Sequence, residues 1–268
     1  MNTVPVLVTA PEGYAQRFVE ALKACNADRF CFEPISIPLI RTIPCEDVSK
    51  IISQAQEYDY LVFTSRKAIL VLSGYLKKNN ISTDSILLPK ACAIGKDNEA
   101  LSLLGITPAF ISAEPSLKGI ADELRSRIKD FPQHSSRPRI AVLGPRVEGL
   151  TEPDTVPDFL RALYAIQADV TYITAYVTRP ATEQTLHEAE ALLRDKIQWV
   201  AFTSATEAQV YKRLSHNTKP ALACFGPYTA YCVRKEGLNV RFTSPDYSSF
   251  STFAKHLKEF ILSTSENA

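Results

Sequence analysis

The tripeptide Phe-Thr-Ser occurs twice in the chain, at 63–65 and at 202–204, and each copy follows a short apolar run. The longer blocks YDYLVFTSRKAI at 58–69 and IQWVAFTSATEA at 197–208 share the order of apolar run, polar turn and amphipathic stretch. A second pair of blocks repeats that order: ACAIGKDNEALSLLGITPAFI at 91–111 and LACFGPYTAYCVRKEGLNVRF at 222–242. Because there are only two copies, the repeat predicts two similar domains and not a solenoid.

Each repeated block has the pattern of a β/α unit. Short runs rich in Val, Ile and Leu alternate with amphipathic stretches, which is typical of a buried parallel sheet covered by helices. The predicted strands are 4–9, 33–38, 60–64, 91–95, 107–111, 139–144, 170–178, 199–203, 222–226 and 239–243. The predicted helices are 12–26, 45–57, 66–79, 96–105, 116–129, 157–167, 182–194, 205–216, 227–237 and 248–263.

Composition narrows the possible partners. A net charge of +1 over 268 residues gives no overall attraction to nucleic acid or to a membrane surface. No apolar run reaches the roughly 18–20 residues of a membrane helix, and the N-terminus has no signal-peptide pattern. The six cysteines form no C-x-x-C pair and the four histidines do not cluster with them. We therefore expect a cytoplasmic protein with no metal, no nucleic-acid partner and no membrane partner.

Polar residues follow most of the predicted strands. Ligands of doubly wound folds bind at the carboxyl ends of parallel strands, where each helix N-terminus favours an anion by about 0.3–1 kcal/mol. Two such edges facing each other would form a cleft for a large polyanion. A simpler interpretation remains for the hydroxyl residues, which can act only as helix caps. The candidates for binding are Thr9, Thr64, Ser65, Gly95, Lys96, Thr203, Ser204 and Gly226.

The order of these motifs resembles the uroporphyrinogen-III synthase family along nearly the whole chain. The resemblance is carried by FTS after a strand in both halves, by the turns IG at 94–95 and FGPYTA at 225–230, and by AYVT at 175–178. It implies cyclisation of linear hydroxymethylbilane to uroporphyrinogen III, with inversion of ring D and loss of water, in haem biosynthesis. It further implies a monomeric lyase without a cofactor, whose substrate carries eight carboxylates.

The resemblance also implies a fold that a linear division would miss. It predicts an α/β protein of two similar flavodoxin-like domains with parallel sheets, joined by a two-stranded connector near 33–40 and 171–178. Domain A would be 1–36 and 178–268, domain B would be 39–173, and the active-site cleft would lie between them. The residues alone suggest one division near 135, inside the linker-like FPQHSSRPR.

Tyr176, in AYVT, matches the family's tyrosine and is the predicted catalytic residue, which assists departure of the substrate hydroxyl as water. The alternative is a strand tyrosine that only packs. Tyr172 lies four residues earlier, so we expect it on the same strand face in a structural role.

Further substrate contacts follow from the resemblance. Thr229, in FGPYTA, would bind a carboxylate or cap its helix, and Lys67 would pair with a carboxylate or remain solvated. Tyr228, in FGPYTA, and Asn98, in IGKDNEA, are the further candidate substrate contacts in the two glycine turns. The chain departs from the family pattern at Ala10, Asn98 and Glu99, which leaves open whether the drifted turns support full activity.

Two other functions remain compatible with two α/β lobes. One is a non-catalytic, two-lobed sensor that binds a tetrapyrrole or another small ligand. The other is an unrelated transferase, although its nucleotide-sugar loop is not apparent in the sequence. Formation of uroporphyrinogen III would distinguish the synthase from both.

Overall fold

The computed structural model describes residues 2–128, 137–214 and 220–265. Most of the linker-like segment at 131–139 and the last two residues of the helix predicted at 205–216 lie outside the described residues. The chain divides into two compact units. Unit 1 comprises 1–42, 148–151 and 179–268, and unit 2 comprises 43–147 and 152–178.

The described residues form ten strands and nine α-helices. The strands are β1 Asn2–Val8, β2 Phe30–Ser36, β3 Ile40–Pro44, β4 Tyr60–Phe63, β5 Lys90–Ala93, β6 Arg139–Val147, β7 Asp169–Pro180, β8 Trp199–Phe202, β9 Ala221–Cys224 and β10 Val240–Thr243. The α-helices are α1 Tyr14–Ala24, α2 Ser49–Gln54, α3 Arg66–Lys78, α4 Leu117–Ile128, α5 Thr155–Ala165, α6 Glu183–Asp195, α7 Ala205–Tyr211, α8 Pro227–Lys235 and α9 Phe250–Ser265. Short 3-10 helices cover Glu46–Val48, Ala55–Glu57, Thr83–Ser85 and Gly95–Leu104.

Two five-stranded sheets carry these elements. The sheet of unit 1 has the order β10-β9-β8-β1-β2, and all of its neighbouring strands are parallel. Numbered by their order along the chain within that sheet, the strands run 2-1-3-4-5. The second sheet has the order β3-β7-β6-β4-β5, with parallel pairing from β7 to β5. The prediction of an α/β fold with parallel sheets is confirmed.

Burial explains why the central strands read as continuous apolar runs. Every residue of β4 (YLVF) and β8 (WVAF) is buried, because core clusters cover both faces of each sheet. Polar residues begin where these strands end, at Thr64 and Thr203. The hydrophobic pattern therefore places the polar turns at the carboxyl edge of each sheet.

β3 and β7 are neighbours, and both cross the boundary between the units. The Cys45 amide donates to the Ala175 carbonyl at 2.9 Å, and the Ala181 amide donates to the Leu39 carbonyl at 2.9 Å. The residue numbers on β7 fall as those on β3 rise, so β3 runs antiparallel to β7. β3 was not predicted as a separate strand.

The strand predicted at 107–111 is wrong. These residues form no strand, although the Ala109 amide donates one hydrogen bond to the Ala91 carbonyl at 2.7 Å. In the described residues this bond does not continue into a ladder, and β5 remains the edge of the sheet. The helix predicted at 45–57 consists of α2 between two 3-10 turns, and the segment after Gly95 is 3-10 and not α.

No helix in the described ranges is long and apolar enough to cross a membrane.

Candidate active site

The first FTS copy ends β4 and begins α3. Ser65 has extended backbone dihedrals and caps α3, since its Oγ accepts a hydrogen bond from the Ala68 amide at 3.4 Å. Thr64 is buried, and its amide donates to the Leu143 carbonyl at 2.9 Å. The helix-cap interpretation of Ser65 is therefore correct, but it does not account for all of the contacts of this side chain.

Tyr176, on β7, also contacts Ser65. The Tyr176 Oη lies 2.9 Å from Ser65 Oγ, and either oxygen can be the donor. The Tyr176 ring packs in the core cluster with Phe63 and Ile173. Burial raises the pKa of Tyr176 to about 12; the hydrogen bond to Ser65 lowers it and the charge of Asp97 raises it. The phenol is thus protonated at neutral pH and can donate a hydrogen bond.

A β-bulge sets the direction of the Tyr176 side chain. In the pairing of β6 with β7, Gly144 faces Thr174 but Pro145 faces Tyr176, so Ala175 is an extra residue on β7. An extra residue breaks the alternation of side chains between the two faces of a sheet. Ala175 and Tyr176 consequently pack in the same core cluster, although they are adjacent in sequence.

The same bulge separates Tyr172 from Tyr176. Tyr172 packs against the cluster that contains Val142, on the opposite face of the sheet from the Tyr176 cluster. The expectation that both tyrosines lie on one face is therefore wrong, because the bulge lies between them. The Tyr172 hydroxyl donates to the Pro145 carbonyl at 2.5 Å, which fixes the backbone beside the bulge.

Gly144 lies on β6 at the carboxyl edge of the sheet. The strand order reverses between β6 and its neighbour β4. A Cβ on Gly144 would lie 2.5 Å from Tyr172 Oη and 2.8 Å from Thr64 Oγ1, so only glycine fits without displacement. The Thr64 hydroxyl is buried, with no hydrogen-bond partner among the described residues. A buried hydroxyl without a partner is uncommon, and it lies at the position where doubly wound folds bind ligands.

The glycine turn after β5 contacts the start of α3 through Asp97, an acidic residue that was not among the predicted site residues. The Asp97 carboxylate accepts a hydrogen bond from the Arg66 amide at 2.8 Å, at the start of α3. Asn98 is buried and bonds to the Ala93 amide and carbonyl and to the Gly95 carbonyl at 2.8–2.9 Å. Its side chain therefore holds the turn itself.

Three further candidate binding residues, two of them lysines, lie in or near this turn. Gly95 has φ +46°, and a Cβ there would lie 2.9 Å from the Pro115 Cβ. Lys96 is exposed, and Lys67 is partly exposed on the first turn of α3. Within the described ranges neither lysine forms an ion pair, so both cations are available to solvent or to an anionic ligand.

In unit 1, the second FTS copy surrounds a buried carboxyl group. The Glu207 side chain accepts hydrogen bonds from Thr9 Oγ1 at 2.6 Å, the Thr203 amide at 2.9 Å, Thr203 Oγ1 at 2.5 Å and Ser204 Oγ at 2.8 Å. Burial raises the pKa of Glu207, and these hydrogen bonds act in the opposite direction. Thr9 and Thr203 follow neighbouring strands, β1 and β8, so Glu207 links the two strand ends.

Glu207 is not among the residues predicted from the sequence, although the sequence contains a local signal for it. Ser204-Ala205-Thr206-Glu207 has the S-x-x-E spacing of a capping box, in which the glutamate returns to the start of its helix. Here Glu207 reaches Thr203, one residue before the cap, and also accepts hydrogen bonds from the hydroxyls of Thr9 and Ser204.

The glycine turn of unit 1 begins α8 with Gly226 as cap and Pro227 as first helical residue. Gly226 leaves little room, since a Cβ would lie 3.1 Å from the Tyr247 ring. Thr229 is buried, and its Oγ1 donates to the Thr203 carbonyl at 3.4 Å. Tyr228 is exposed beside it.

The structure thus forms two groups of candidates, one in each unit. In unit 2, Thr64, Ser65 and Tyr176 lie together, with the Asp97–Asn98 turn at the start of α3. In unit 1, Thr9, Thr203 and Ser204 meet at Glu207, and Thr229 contacts Thr203. In the described part of the chain, no three His, Cys, Asp or Glu side chains are grouped to hold a metal ion.

A family model described as uroporphyrinogen-III synthase HemD matches residues 17–254. This span is well over half of the chain. The chain belongs to the uroporphyrinogen-III synthase family. The match supports the synthase function in haem biosynthesis and identifies the protein as an enzyme.

Solved structures of uroporphyrinogen III synthases share the fold. A mutant enzyme from the extremely thermophilic bacterium Thermus thermophilus is 17% identical, with 97% of this chain and 99% of that chain covered and a TM-score of 0.62. The enzyme from Helicobacter pylori is 12% identical, with 96% and 99% covered and a TM-score of 0.57. At these identities the similarity establishes the fold alone. A comparison with curated protein sequences gave no match.

Proposed function

We propose that this uroporphyrinogen-III synthase family member converts hydroxymethylbilane into uroporphyrinogen III. The linear tetrapyrrole closes with inversion of ring D and loses its hydroxyl group as water. The match of the family model to residues 17–254 carries this proposal. The reaction needs no cofactor, because the electron-rich pyrroles supply the electrons for ring closure. The protein acts as a cytoplasmic monomer.

Tyr176 is the proposed catalytic residue. Its phenol stays protonated at neutral pH and shares a 2.9 Å hydrogen bond with Ser65 at the carboxyl edge of the sheet. Together the two hydroxyls carry two protons, and only one of these lies between them. The other proton is donated to the departing substrate hydroxyl, which then leaves as water. A proton returns to the pair when the closed ring loses its own proton.

Orientation is the second part of the proposed mechanism. The linear substrate must be held so that the substituted carbon of ring D attacks, and alignment of reacting groups can lower a barrier by several kcal/mol. Substrate carboxylates are bound by Lys67 and Lys96 in unit 2 and by Thr229 in unit 1. Gly95, Gly226 and Tyr228 shape these turns. Thr64, whose buried hydroxyl has no partner in the described part of the chain, contacts the substrate beside Tyr176.

We further propose that units 1 and 2 are the two flavodoxin-like domains of the family, connected by β3 and β7. The strand order 2-1-3-4-5 in unit 1 supports this proposal, since it is the flavodoxin-like order. The antiparallel hydrogen bonds between β3 and β7 support a two-stranded connector.

An isomer assay tests the reaction. Hydroxymethylbilane is generated in situ, the protein is added, and the oxidised products are separated into isomers I and III. We expect isomer III in excess of a protein-free blank, which yields isomer I because the substrate closes unaided. Product with the blank's isomer composition and rate would contradict the synthase proposal and favour a non-catalytic tetrapyrrole sensor.

Tyr176→Phe tests the proposed catalytic hydroxyl. We expect kcat to fall by about 10²–10⁴-fold, the usual contribution of a positioned proton donor, while the fold is retained. Tyr164→Phe is the matched control, since Tyr164 is exposed on α5. Unchanged kcat in Tyr176→Phe would assign this tyrosine to packing alone.

A further inference from the structure

Glu207 is buried in the first turn of α7, and nothing in the proposed reaction uses it. The side chain is 0% exposed, and its two oxygens accept four hydrogen bonds of 2.5–2.9 Å from Thr9, Thr203 and Ser204. In the described residues these partners are three hydroxyls and one amide, without a cation. Breaking such a set leaves several buried donors without an acceptor, which makes the arrangement rigid.

The hydrogen bonds to Glu207 change what the three hydroxyls can bind. A serine or threonine hydroxyl has one proton, and in Thr203 and Ser204 that proton is donated to Glu207, whereas in Thr9 it is shared between Glu207 and the Ala201 carbonyl at 2.9 Å. Such a hydroxyl cannot also donate to a substrate carboxylate. Although the sequence placed Thr9, Thr203 and Ser204 among the substrate-binding residues, their donors are occupied by acceptors of the protein itself, Glu207 and the Ala201 carbonyl.

The two FTS copies differ at this point. When the block at 58–69 is aligned with that at 197–208, Glu207 corresponds to Ala68, which has no polar side chain. In unit 2 the serine hydroxyl bonds to Tyr176, whereas in unit 1 it bonds to Glu207. The two copies of the repeat therefore differ in their partners: the turn in unit 2 contacts a candidate catalytic tyrosine, and the turn in unit 1 contacts a buried carboxyl group.

Thr203 connects Glu207 to the start of α8. Its amide and hydroxyl are held by Glu207, and its carbonyl accepts a hydrogen bond from Thr229 Oγ1 at 3.4 Å. Thr229 is the third residue of α8, and Gly226 and Pro227 fix the start of that helix. A movement of the Thr203 peptide would therefore move the acceptor that orients the Thr229 hydroxyl.

We propose that Glu207 is a positioning residue, which holds Thr203 and through the Thr203 carbonyl orients Thr229. Thr229, and not Thr203 or Ser204, is then the hydroxyl residue of unit 1 that contacts a substrate carboxylate. The role of Glu207 toward Thr229 is a property of the fold, whereas the carboxylate contact rests on the proposed synthase function.

The first test measures the link without using activity. In protein labelled with ¹³C in the threonine methyl groups, Glu207→Ala is expected to shift the resonances of Thr203 and Thr229. Glu207→Gln keeps an oxygen for the Thr203 amide, and its NH₂ can donate to the Thr203 and Ser204 hydroxyls, so it should restore the Thr229 resonance. Leu22→Val, in the buried face of α1, is the control for general destabilisation and should leave Thr229 unchanged.

The second test is a double-mutant cycle on turnover of hydroxymethylbilane. We expect Glu207→Ala and Thr229→Val each to raise KM about tenfold, since a hydrogen bond to a charged group is lost, with kcat within about threefold of wild type. The double variant should be no worse than Thr229→Val alone, and Glu207→Gln should lie within about twofold of wild type. If Glu207→Ala does not fold, the isosteric Thr203→Val replaces it in both tests.

The outcomes separate this inference from the proposed function. A wild-type protein that forms only isomer I overturns the synthase proposal, and the Thr229 resonance in Glu207→Ala then decides the positioning role. A Thr229 resonance that Glu207→Ala leaves in place overturns that role. A double variant whose KM rises by the product of the single effects also overturns it, because Glu207 and Thr229 would then act independently.

Discussion

The aligned serines Ser65 and Ser204 show how partner residues determine the chemistry of a side chain. Both precede a helix, and both have extended backbone dihedrals. Ser65 caps α3 and contacts the Tyr176 phenol, whereas Ser204 donates to the buried Glu207. The same tripeptide therefore supplies a candidate reactive pair in unit 2 and an internal support in unit 1.

At the level of single residues, Asn98 is predicted to stabilise the fold and not to bind substrate. Asn98→Ala removes three hydrogen bonds to the Ala93 and Gly95 backbone, which should cost about 1–3 kcal/mol of unfolding free energy. Urea denaturation measures the loss, and Glu99→Ala, at an exposed position of the same segment, is the control. A raised KM with unchanged stability would instead assign Asn98 to substrate binding.

A second prediction for a single residue concerns pH and Cys92. Burial raises the pKa of the Cys92 thiol from 9.0 to about 12, and the charge of Arg127 acts in the opposite direction. The unfolded thiol ionises first, so the contribution of Cys92 to stability is complete below pH 9. It is then lost as the pH rises toward 12, at about 1.4 kcal/mol per pH unit.

Cys92→Ala should therefore lose less stability than the wild type as the pH rises from about 8 to about 10.5. Chemical denaturation at each pH measures the difference in slope, and Cys31→Ala, at a half-buried position, is the control. Parallel stability curves for the wild type and Cys92→Ala would contradict the burial argument for this thiol.

Among the helices and strands, the bulge on β7 is the feature that assembles the candidate site. One extra residue, Ala175, turns Tyr176 toward the face that carries Phe63. Gly144 accommodates the crowding on the paired strand, where the Tyr172 and Thr64 hydroxyls approach its backbone.

Gly144→Ala is predicted to cost about 1–3 kcal/mol, because the new methyl group would overlap Tyr172 Oη and Thr64 Oγ1. Tyr172→Phe removes the closer of the two oxygens, so the double variant should recover part of the loss. Gly74→Ala, in open space within α3, is the control and should gain about 0.5–1 kcal/mol. Thermal denaturation measures all of these proteins. Equal stability of Gly144→Ala and the wild type would show that the strand end adjusts without cost.

Over the full chain, the two units differ in how their sheets are assembled from the sequence. Unit 1 uses β1 and β2 from the N-terminus and β8–β10 from the C-terminus, whereas unit 2 is nearly continuous from 43 to 178. A cut near 135 therefore divides both sheets.

We expect a fragment of residues 40–180 to fold alone, since it contains all strands and core clusters of unit 2. It should show a cooperative thermal transition by circular dichroism. A fragment of residues 1–135 lacks β6–β10 and should show none. Cooperative unfolding of 1–135 would contradict the division into these units.

Sequence reasoning identified most elements and turns because their signals are local. An apolar run such as WVAF before Thr203-Ser204 specifies a buried strand and a helix start within a few residues. The family resemblance singled out Tyr176 as a candidate, whose catalytic role stays a prediction, and the S-x-x-E spacing is a local signal for Glu207. The strand prediction for TPAFI at 107–111 is wrong because strand propensity does not indicate whether a neighbouring strand can pair with the run.

Local patterns in the chain were enough to establish the α/β class, the repeated turns at the carboxyl edges of the strands and the family. They could not establish which of these turns share partners. Tyr176 meets Ser65 across 111 positions, and Thr9 meets Glu207 across 198. Such contacts depend on strand order and on the register shift at Ala175, which arise from long-range pairing and leave no periodic pattern in the chain.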